Sequence, residues 1–331
     1  MASAAERFAA LLAGRAPAAP VVFPMVVADH AARIAGVPVR ETVTRAGTLA
    51  RVLHAAWCDY RYDLVMVFTD TVVEAEAMGA QVAIPEDDNP FLLAPPPPGN
   101  LAPADPEQDG RMPVVLEATR ELRRRLDPDV PVISSIKGPF SLAAFLAGTE
   151  RFLADLLEDE ARALRFLEAA LANQVGYARA LAAAGGLPFI GDPVASGSLI
   201  GPTLFRRFAR PFLTRLVDSV HALKLPVGLH VCGNVAGMTA DLAATGADYL
   251  SIEVDLASAR RELGSGPVLM GSVETRLLLD AAPATVCRAA EDCLRAGGPN
   301  TLLATGCDVP RDARPDNVRA VVDAARAWSW S

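Results

Sequence analysis

The sequence predicts an α/β fold, a TIM (β/α)8 barrel. Three observations carry that reading: eight short apolar runs ending in polar or glycine residues, amphipathic segments of helical period between them, and reactive side chains gathered where the runs end. Strict alternation of strand and helix implies parallel strands joined by right-handed crossovers. A count of eight strands selects a closed barrel over a doubly wound open sheet. No internal repeat or linker divides the chain, so residues 1–331 read as one barrel domain with a short N-terminal helical extension and a Pro-rich loop at 92–113.

In chain order, the opening MASAAERFAALLAGRAP sets Glu6, Arg7 and Arg15 around a very short apolar patch, which predicts an amphipathic surface helix and not a secretory signal. The first strand is VVFPMV (21–26), and 41–59 after it has the spacing of an amphipathic helix. LVMVFTD (64–70) is the second strand. Residues 92–110 then carry Pro95, Pro96, Pro97 and Pro98, and proline lacks the amide donor that a helix interior or a central strand needs. Following a strand, this loop rises on the active-site face, where it serves as a lid or docking surface or stands as a stiff solvated loop. A helix over 112–126 leads to PVISSIKG (131–138), and one over 160–185 leads to LPFIGD (187–192). Helices over 203–225 and 235–246 precede VGLHVC (227–232) and YLSIEV (249–254). VLMGSV (268–273), a helix over 282–297, TLLATGC (301–307) and a helix over 315–328 complete the count, and several helices end in glycine, a frequent C-cap.

Composition bounds the function. With 51% hydrophobic and 21% charged residues, the chain has ample apolar material for a large core. Its net charge of -8 comes from interspersed acids and bases, without the basic stripe that neutralises phosphates, which argues against nucleic acid as a partner. The longest uncharged apolar stretches, such as 138–148, fall short of the ~20 residues of a membrane span, so a soluble, cytoplasmic protein with no membrane partner is expected. Five cysteines, Cys58, Cys232, Cys287, Cys293 and Cys307, are an odd number in a chain large enough to fold without disulfides, and reduced thiols are expected. Lysine occurs only at Lys137 and Lys224, a bias that carries no functional conclusion.

The strand ends hold the chemistry. Asp70 closes the second strand, Asp192 the fourth, His230 and Cys232 the fifth, Glu253 the sixth, and Cys307 with Asp308 the eighth. Residues i and i+2 of a strand point to one face, so His230 and Cys232 can reach one metal ion, and Cys307 can supply a third soft ligand across the barrel mouth. His with two Cys is a common catalytic zinc set, and Glu253 is the candidate for an exchangeable fourth place. Each residue also has an ordinary reading, a hydrogen-bonded strand-end histidine or a cysteine packed as a small apolar filler. Cys58, Cys287 and Cys293 are expected in the core. Asp70 and Asp192 either position substrate and handle its proton or cap neighbouring helices, and salt bridges are expected for Glu74 and Glu76.

The run GLHVCGNVAGMTADLAATGADYLSIEVD, followed by LLATGCDVPRDARPDNVRAVVDAAR, resembles the zinc methyltransferases of the uroporphyrinogen decarboxylase superfamily. DTVVEAEAMGAQV, IKGPFSLAAFLAG and GDPVASGSLIGPTLFRRFARPF extend the resemblance over nearly the whole chain. It implies a uroporphyrinogen decarboxylase-like barrel that moves a methyl group between a corrinoid and a small thiol such as coenzyme M. It also implies zinc at His230, Cys232 and Cys307, with Glu253 matching the acidic residue that completes the shell and loosens when the thiol binds. The decarboxylases' arginine-rich N-terminal segment is not matched, since VVFPMVVADHAAR holds Arg33 alone, and porphyrin decarboxylation is the poorer reading. No D-x-H-x-x-G corrinoid motif occurs, which points to a methylcorrinoid co-substrate on a separate corrinoid protein or as free cobalamin. Two further readings stay open: a cobalamin-independent, methionine synthase-like thiol methyltransferase, and a non-enzymatic zinc-containing binding module. The sequence does not select the thiol, the methyl donor or the oligomeric state.

Overall fold

The computed structural model describes residues 2–97, 99, 101–253, 255–264 and 266–330; of the positions invoked above, Pro98 and the last residue of the 249–254 strand lie outside them. The described strands are β1 (Val21–Phe23), β2 (Val65–Val67), β3 (Gln81–Ala83), β4 (Phe91–Ala94), β5 (Val132–Lys137), β6 (Leu187–Gly191), β7 (Gly228–Val231), β8 (Tyr249–Ile252), β9 (Val268–Val273) and β10 (Thr301–Thr305). All but β3 and β4 form one parallel sheet of eight strands in the order β1-β10-β9-β8-β7-β6-β5-β2, with helices between successive strands. This is the expected TIM barrel, with β9 at its expected bounds and the other strands shorter by up to three residues at an end.

Side-chain alternation divides the core into two shells. Phe23, Met66, Ile133, Phe189, Tyr249 and Met270 cluster inside the ring, while Val22, Val65, Val132, Leu229, Leu250 and Leu303 join the larger cluster beneath the helices. Gly228 makes room inside the ring, because a Cβ there would lie 2.2 Å from the Tyr249 ring. The expected N-terminal helix spans Ala4–Leu12 behind a capping box of Ser3 and Glu6. Its apolar face closes the floor of the barrel, with Phe8 edge-on to Tyr249 at 5.6 Å between ring centroids.

No ladder joins β1 to β2, and the barrel is completed there by other bonds. The Asp63 amide donates to the Val22 carbonyl at 2.9 Å, the Val22 amide donates to the Asp63 carboxylate at 2.8 Å, and the Ala28 amide donates to the Phe68 carbonyl at 3.1 Å. Arg7 and Arg326 both grip the buried Asp63 carboxylate.

Three helical expectations need correction. Residues 41–59 form two helices, Val39–Thr44 and Ala46–Tyr60, because Arg45 is extended after Thr42 and Thr44 bond back to the carbonyls of Pro38 and Arg40. The 203–225 segment passes through a π turn, Phe205–Ala209, before Arg210–His221. Pro211 lacks the amide that a regular α turn would use, and the Arg210 amide instead reaches back to Phe205. Of 235–246 only Thr239–Ala243 is helical. The Pro-rich stretch also begins and ends differently. Leu92–Ala94 belongs to β4, which pairs antiparallel with β3, and Met112 already starts the helix Met112–Arg125. β4 alternates exposed Phe91 and Leu93 with half-buried Leu92 and Ala94, apolar on both faces, so no period-two pattern announces it.

Candidate active site

Strand register sets the site. Lys137 lies opposite Gly191, Gly191 opposite His230, and His230 opposite Ser251, one row of side chains at the C-terminal rim. His230 Nδ1 therefore meets Ser251 Oγ at 3.0 Å, which fixes the ring. Nε2 is then 2.8 Å from Cys232 Sγ and 3.7 Å from Cys307 Sγ, and the two sulfurs stand 4.0 Å apart. Among the described residues this is the one set of three His, Cys, Asp or Glu whose donor atoms all lie within 4.8 Å of one another. One imidazole nitrogen and two sulfurs suit a borderline-soft ion such as zinc and leave a fourth position open. The second imidazole nitrogen is already anchored, as in ligating histidines generally.

The two thiols share their protons unequally. The hydrogen bond with Cys307 lowers the Cys232 thiol, and the same bond, with burial, raises Cys307 well above the ordinary thiol range. Burial pulls the His230 imidazole down, but Cys307, Asp308 and Glu253 outweigh it and leave it above its usual value. Burial also pushes the Asp308 carboxyl up to about 6. The remaining cysteines, Cys58, Cys287 and Cys293, are free thiols, half-buried against the outer core and not within it as expected.

Glu253 lies outside the triad's 4.8 Å set. It is exposed and shares with Cys307 the wall of a cavity of about 290 Å³, together with Asp255, Ser272, Glu274, Thr275 and Gly306. Asp70 and Asp192 are not drawn to the triad. Asp70 is buried and held by both terminal nitrogens of Arg111, at 2.5 and 3.1 Å, and it accepts the Val72 amide at 3.0 Å. Asp192 accepts the amide and hydroxyl of Ser141, at 2.7 and 2.5 Å, and so caps the helix Pro139–Ala147, whose own N-cap is Gly138. The carboxylate needs that glycine, since a Cβ at Gly138 would come within 2.1 Å of Asp192. Burial raises Asp192 to about 6, and its Oδ2 has no partner.

Glu76 forms the expected salt bridge, to Arg111 at 2.6 Å. Glu74 corrects its expectation. It is buried, with its carboxyl raised by burial, and it accepts the Lys137 amide at 2.7 Å and the Gln174 amide at 3.2 Å in place of a salt bridge. Sequence reasoning missed Arg111, Ser251 and Lys137. Arg111 has no local signal, because its partners lie 35 and 41 positions away. Ser251, a hydroxyl inside the apolar run YLSIEV, was a visible clue, and so was Lys137, one of only two lysines, now seen buried with Nζ 4.6 Å from the centre of the Phe68 ring.

Known proteins resemble the chain over most of its length. The profile of the uroporphyrinogen decarboxylase (URO-D) family matches residues 3–328. The chain is 31% identical over 261 residues to methylcobamide:CoM methyltransferase MtaA of Methanosarcina barkeri, covering 76% of each chain. It is 30% identical over 263 residues to a methylated-thiol--coenzyme M methyltransferase of Methanosarcina mazei, covering 78% of this chain and 70% of the relative. A uroporphyrinogen decarboxylase of Thermus thermophilus is 29% identical over 276 residues, covering 79% and 78%. The solved structure of a methyltransferase from Methanosarcina mazei superposes with a TM-score of 0.92 at 28% identity, over 98% of this chain and 99% of that one. The chain belongs to the uroporphyrinogen decarboxylase (URO-D) family and is an enzyme of its methyltransferase branch.

Proposed function

We propose that this enzyme transfers a methyl group between a methylated corrinoid and a small thiol, with zinc held by His230, Cys232 and Cys307. The observation that carries the reading is the convergence of one imidazole nitrogen and two sulfurs at the barrel mouth, with an open cavity beside Cys307. Zinc held there by His230, Cys232 and Cys307 would supply Lewis acidity, the chemistry that favours a thiolate over a protonated thiol at neutral pH. The substrate thiolate attacks the methyl carbon in line. A C–S bond forms, the cobalt–carbon bond breaks with its electron pair left on cobalt, and the thiol's proton leaves to solvent or a nearby carboxylate.

The chain's own residues position that reaction. Ser251 holds the His230 ring, and Glu253, on the cavity wall by Cys307, is the carboxylate available to fill the fourth position or to accept the proton. Asp70 and Asp192 support the rim from beneath through Arg111 and Ser141. The corrinoid arrives from a separate corrinoid protein or as free cobalamin. The names of the relatives, methylcobamide:CoM methyltransferases, support the donor and the thiol class.

Zinc content and X-ray absorption at the zinc edge, with and without a small thiol, test the reading. One zinc per chain, with two sulfur neighbours that become three when thiol is added, is expected, as is methylation of the thiol by methylcobalamin. A protein that holds no zinc in metal-replete buffer, or that uses a methylated folate in place of methylcobalamin, defeats it.

A further inference from the structure

We infer that Lys137 binds the substrate, its ammonium holding an anionic group, a sulfonate or a carboxylate, at the far end of the thiol. The inference rests on the reading that a thiol binds at the triad, and it names the residue that chooses among thiols. Side-chain alternation puts this lysine in the right layer. Ile133 and Phe189 point into the ring, so Lys137 and Gly191, an even number of residues further along the same strands, point into it as well. Register sets Lys137 beside Gly191 and Gly191 beside His230. Because position 191 has no side chain, the ammonium takes the space one would fill, and a Cβ there would lie 3.3 Å from Nζ. The charge therefore leans over β6, one strand from His230.

The protein does not use this charge up. Lys137 is 4% exposed, and among the described residues its Nζ makes no hydrogen bond or ion pair and faces the Phe68 ring at 4.6 Å. Glu74, Asp192, Cys232 and Asp308 lie near enough to feel it. None pairs with it: Glu74 accepts the Lys137 and Gln174 amides, and Asp192 accepts from Ser141. An ammonium has three donors and no acceptor, and holding one out of water without an acceptor is costly. An anion relieves that cost. A thiol whose sulfur joins His230, Cys232 and Cys307 has its far end within reach of Lys137 when a short spacer separates the two. A neutral end leaves the ammonium unpaired, and a cationic end meets like charge.

The test uses the Co(II)-substituted full chain and four short thiols that differ in end group: mercaptoethanesulfonate, 3-mercaptopropionate, mercaptoethanol and thiocholine. Affinity is read from the thiolate-to-cobalt charge-transfer band. The two anionic thiols are expected to bind tighter than mercaptoethanol, and thiocholine weakest, with the tighter of the two anions showing which acid the site is shaped for. Lys137→Met should lower affinity for that anion about 30-fold relative to mercaptoethanol, the size of a hydrogen bond to a charged group. The parent carries a second readout that needs no substitution. Its only lysines are Lys137 and Lys224, and Lys224 is exposed in the turn after the helix Arg210–His221, so isotope-labelled lysine gives the zinc-loaded protein two side-chain NMR signals. The one from Lys137 should shift with the anionic thiol and not with mercaptoethanol.

If mercaptoethanol binds as well as the anionic thiols, or if neither lysine signal responds to them, the inference is wrong while thiol binding stands. If Lys137→Met weakens mercaptoethanol as much as the sulfonate, the ammonium acts on the sulfur and not on the far end, and the inference is equally overturned. If none of the four thiols changes the spectrum, the thiol-binding reading itself falls, and the inference falls with it.

Discussion

Two sets of polar residues share the C-terminal rim, and they differ in how their bonding capacity is spent. Asp70 and Glu76 both accept from Arg111, and Asp192 is engaged by Ser141, so each is tied to a neighbour on its own scaffold. His230, Cys232 and Cys307 instead point three donor atoms at one another, with Ser251 behind the imidazole. The first set holds the rim in shape, whereas the second is arranged for something that is not protein. Strand-end position is therefore a necessary and not a sufficient mark of chemistry in a barrel.

The sharpest way to break this comparison is to exchange the losses. Cys232→Ser and Cys307→Ser should each lower zinc affinity by more than about 100-fold, beyond the range typical of outer-shell changes, and leave thermal unfolding of the metal-free protein almost unchanged. Asp70→Ala should do the reverse. It leaves the Arg111 guanidinium buried with Glu76 as its remaining partner, costing about 3 kcal/mol of stability in denaturant unfolding, with zinc affinity retained. If Asp70→Ala abolishes zinc binding while stability holds, the division between the two sets is wrong.

A pH series sharpens the same point at Asp192. Its folded carboxyl titrates at about 6 against an ordinary 3.8, so the folded state holds the proton more tightly than the unfolded state. Between those two values the folded protein binds more protons, and stability falls as pH rises, by about 2–3 kcal/mol from this group. Asp192→Asn keeps an oxygen for Ser141 and should remove that fall, so the variant gains on the parent as pH rises from 4 to 7. Equal pH dependence in the two proteins would show that Asp192 is not held protonated by burial.

The smallest expected effect is at Ser251. Removing its hydroxyl frees Nδ1 of His230, and Ser251→Ala should weaken zinc about tenfold in a chelator competition, with little change in unfolding.

These residues also mark what a reader of the sequence can and cannot see. The barrel was legible because each strand alternates between an inner and an outer apolar shell, and the triad because His230 and Cys232 sit two apart at a strand end. The partners that decide the fate of each carboxylate were not legible. Arg111 reaches Asp70 from the far end of the Pro-rich stretch, and Ser141 reaches Asp192 from the preceding crossover, contacts that only strand order and register create. The β3–β4 ribbon escaped for the opposite reason, since β4 is apolar on its exposed face, Phe91 and Leu93, as well as on its half-buried one, Leu92 and Ala94, and so writes no alternation into its residues.

The seam at Asp63 bears on how the molecule is made. One guanidinium that closes it comes from the helix Ala4–Leu12 and the other from Pro315–Ala327. On the ribosome the clasp is incomplete until residue 326 has emerged, so the ring is shut last, by the chain's two distant ends meeting on a single aspartate. A circular permutant opened between β1 and Asp63 would carry Asp63 near one end and Arg7 near the other, after Arg326, so its clasp would still close late.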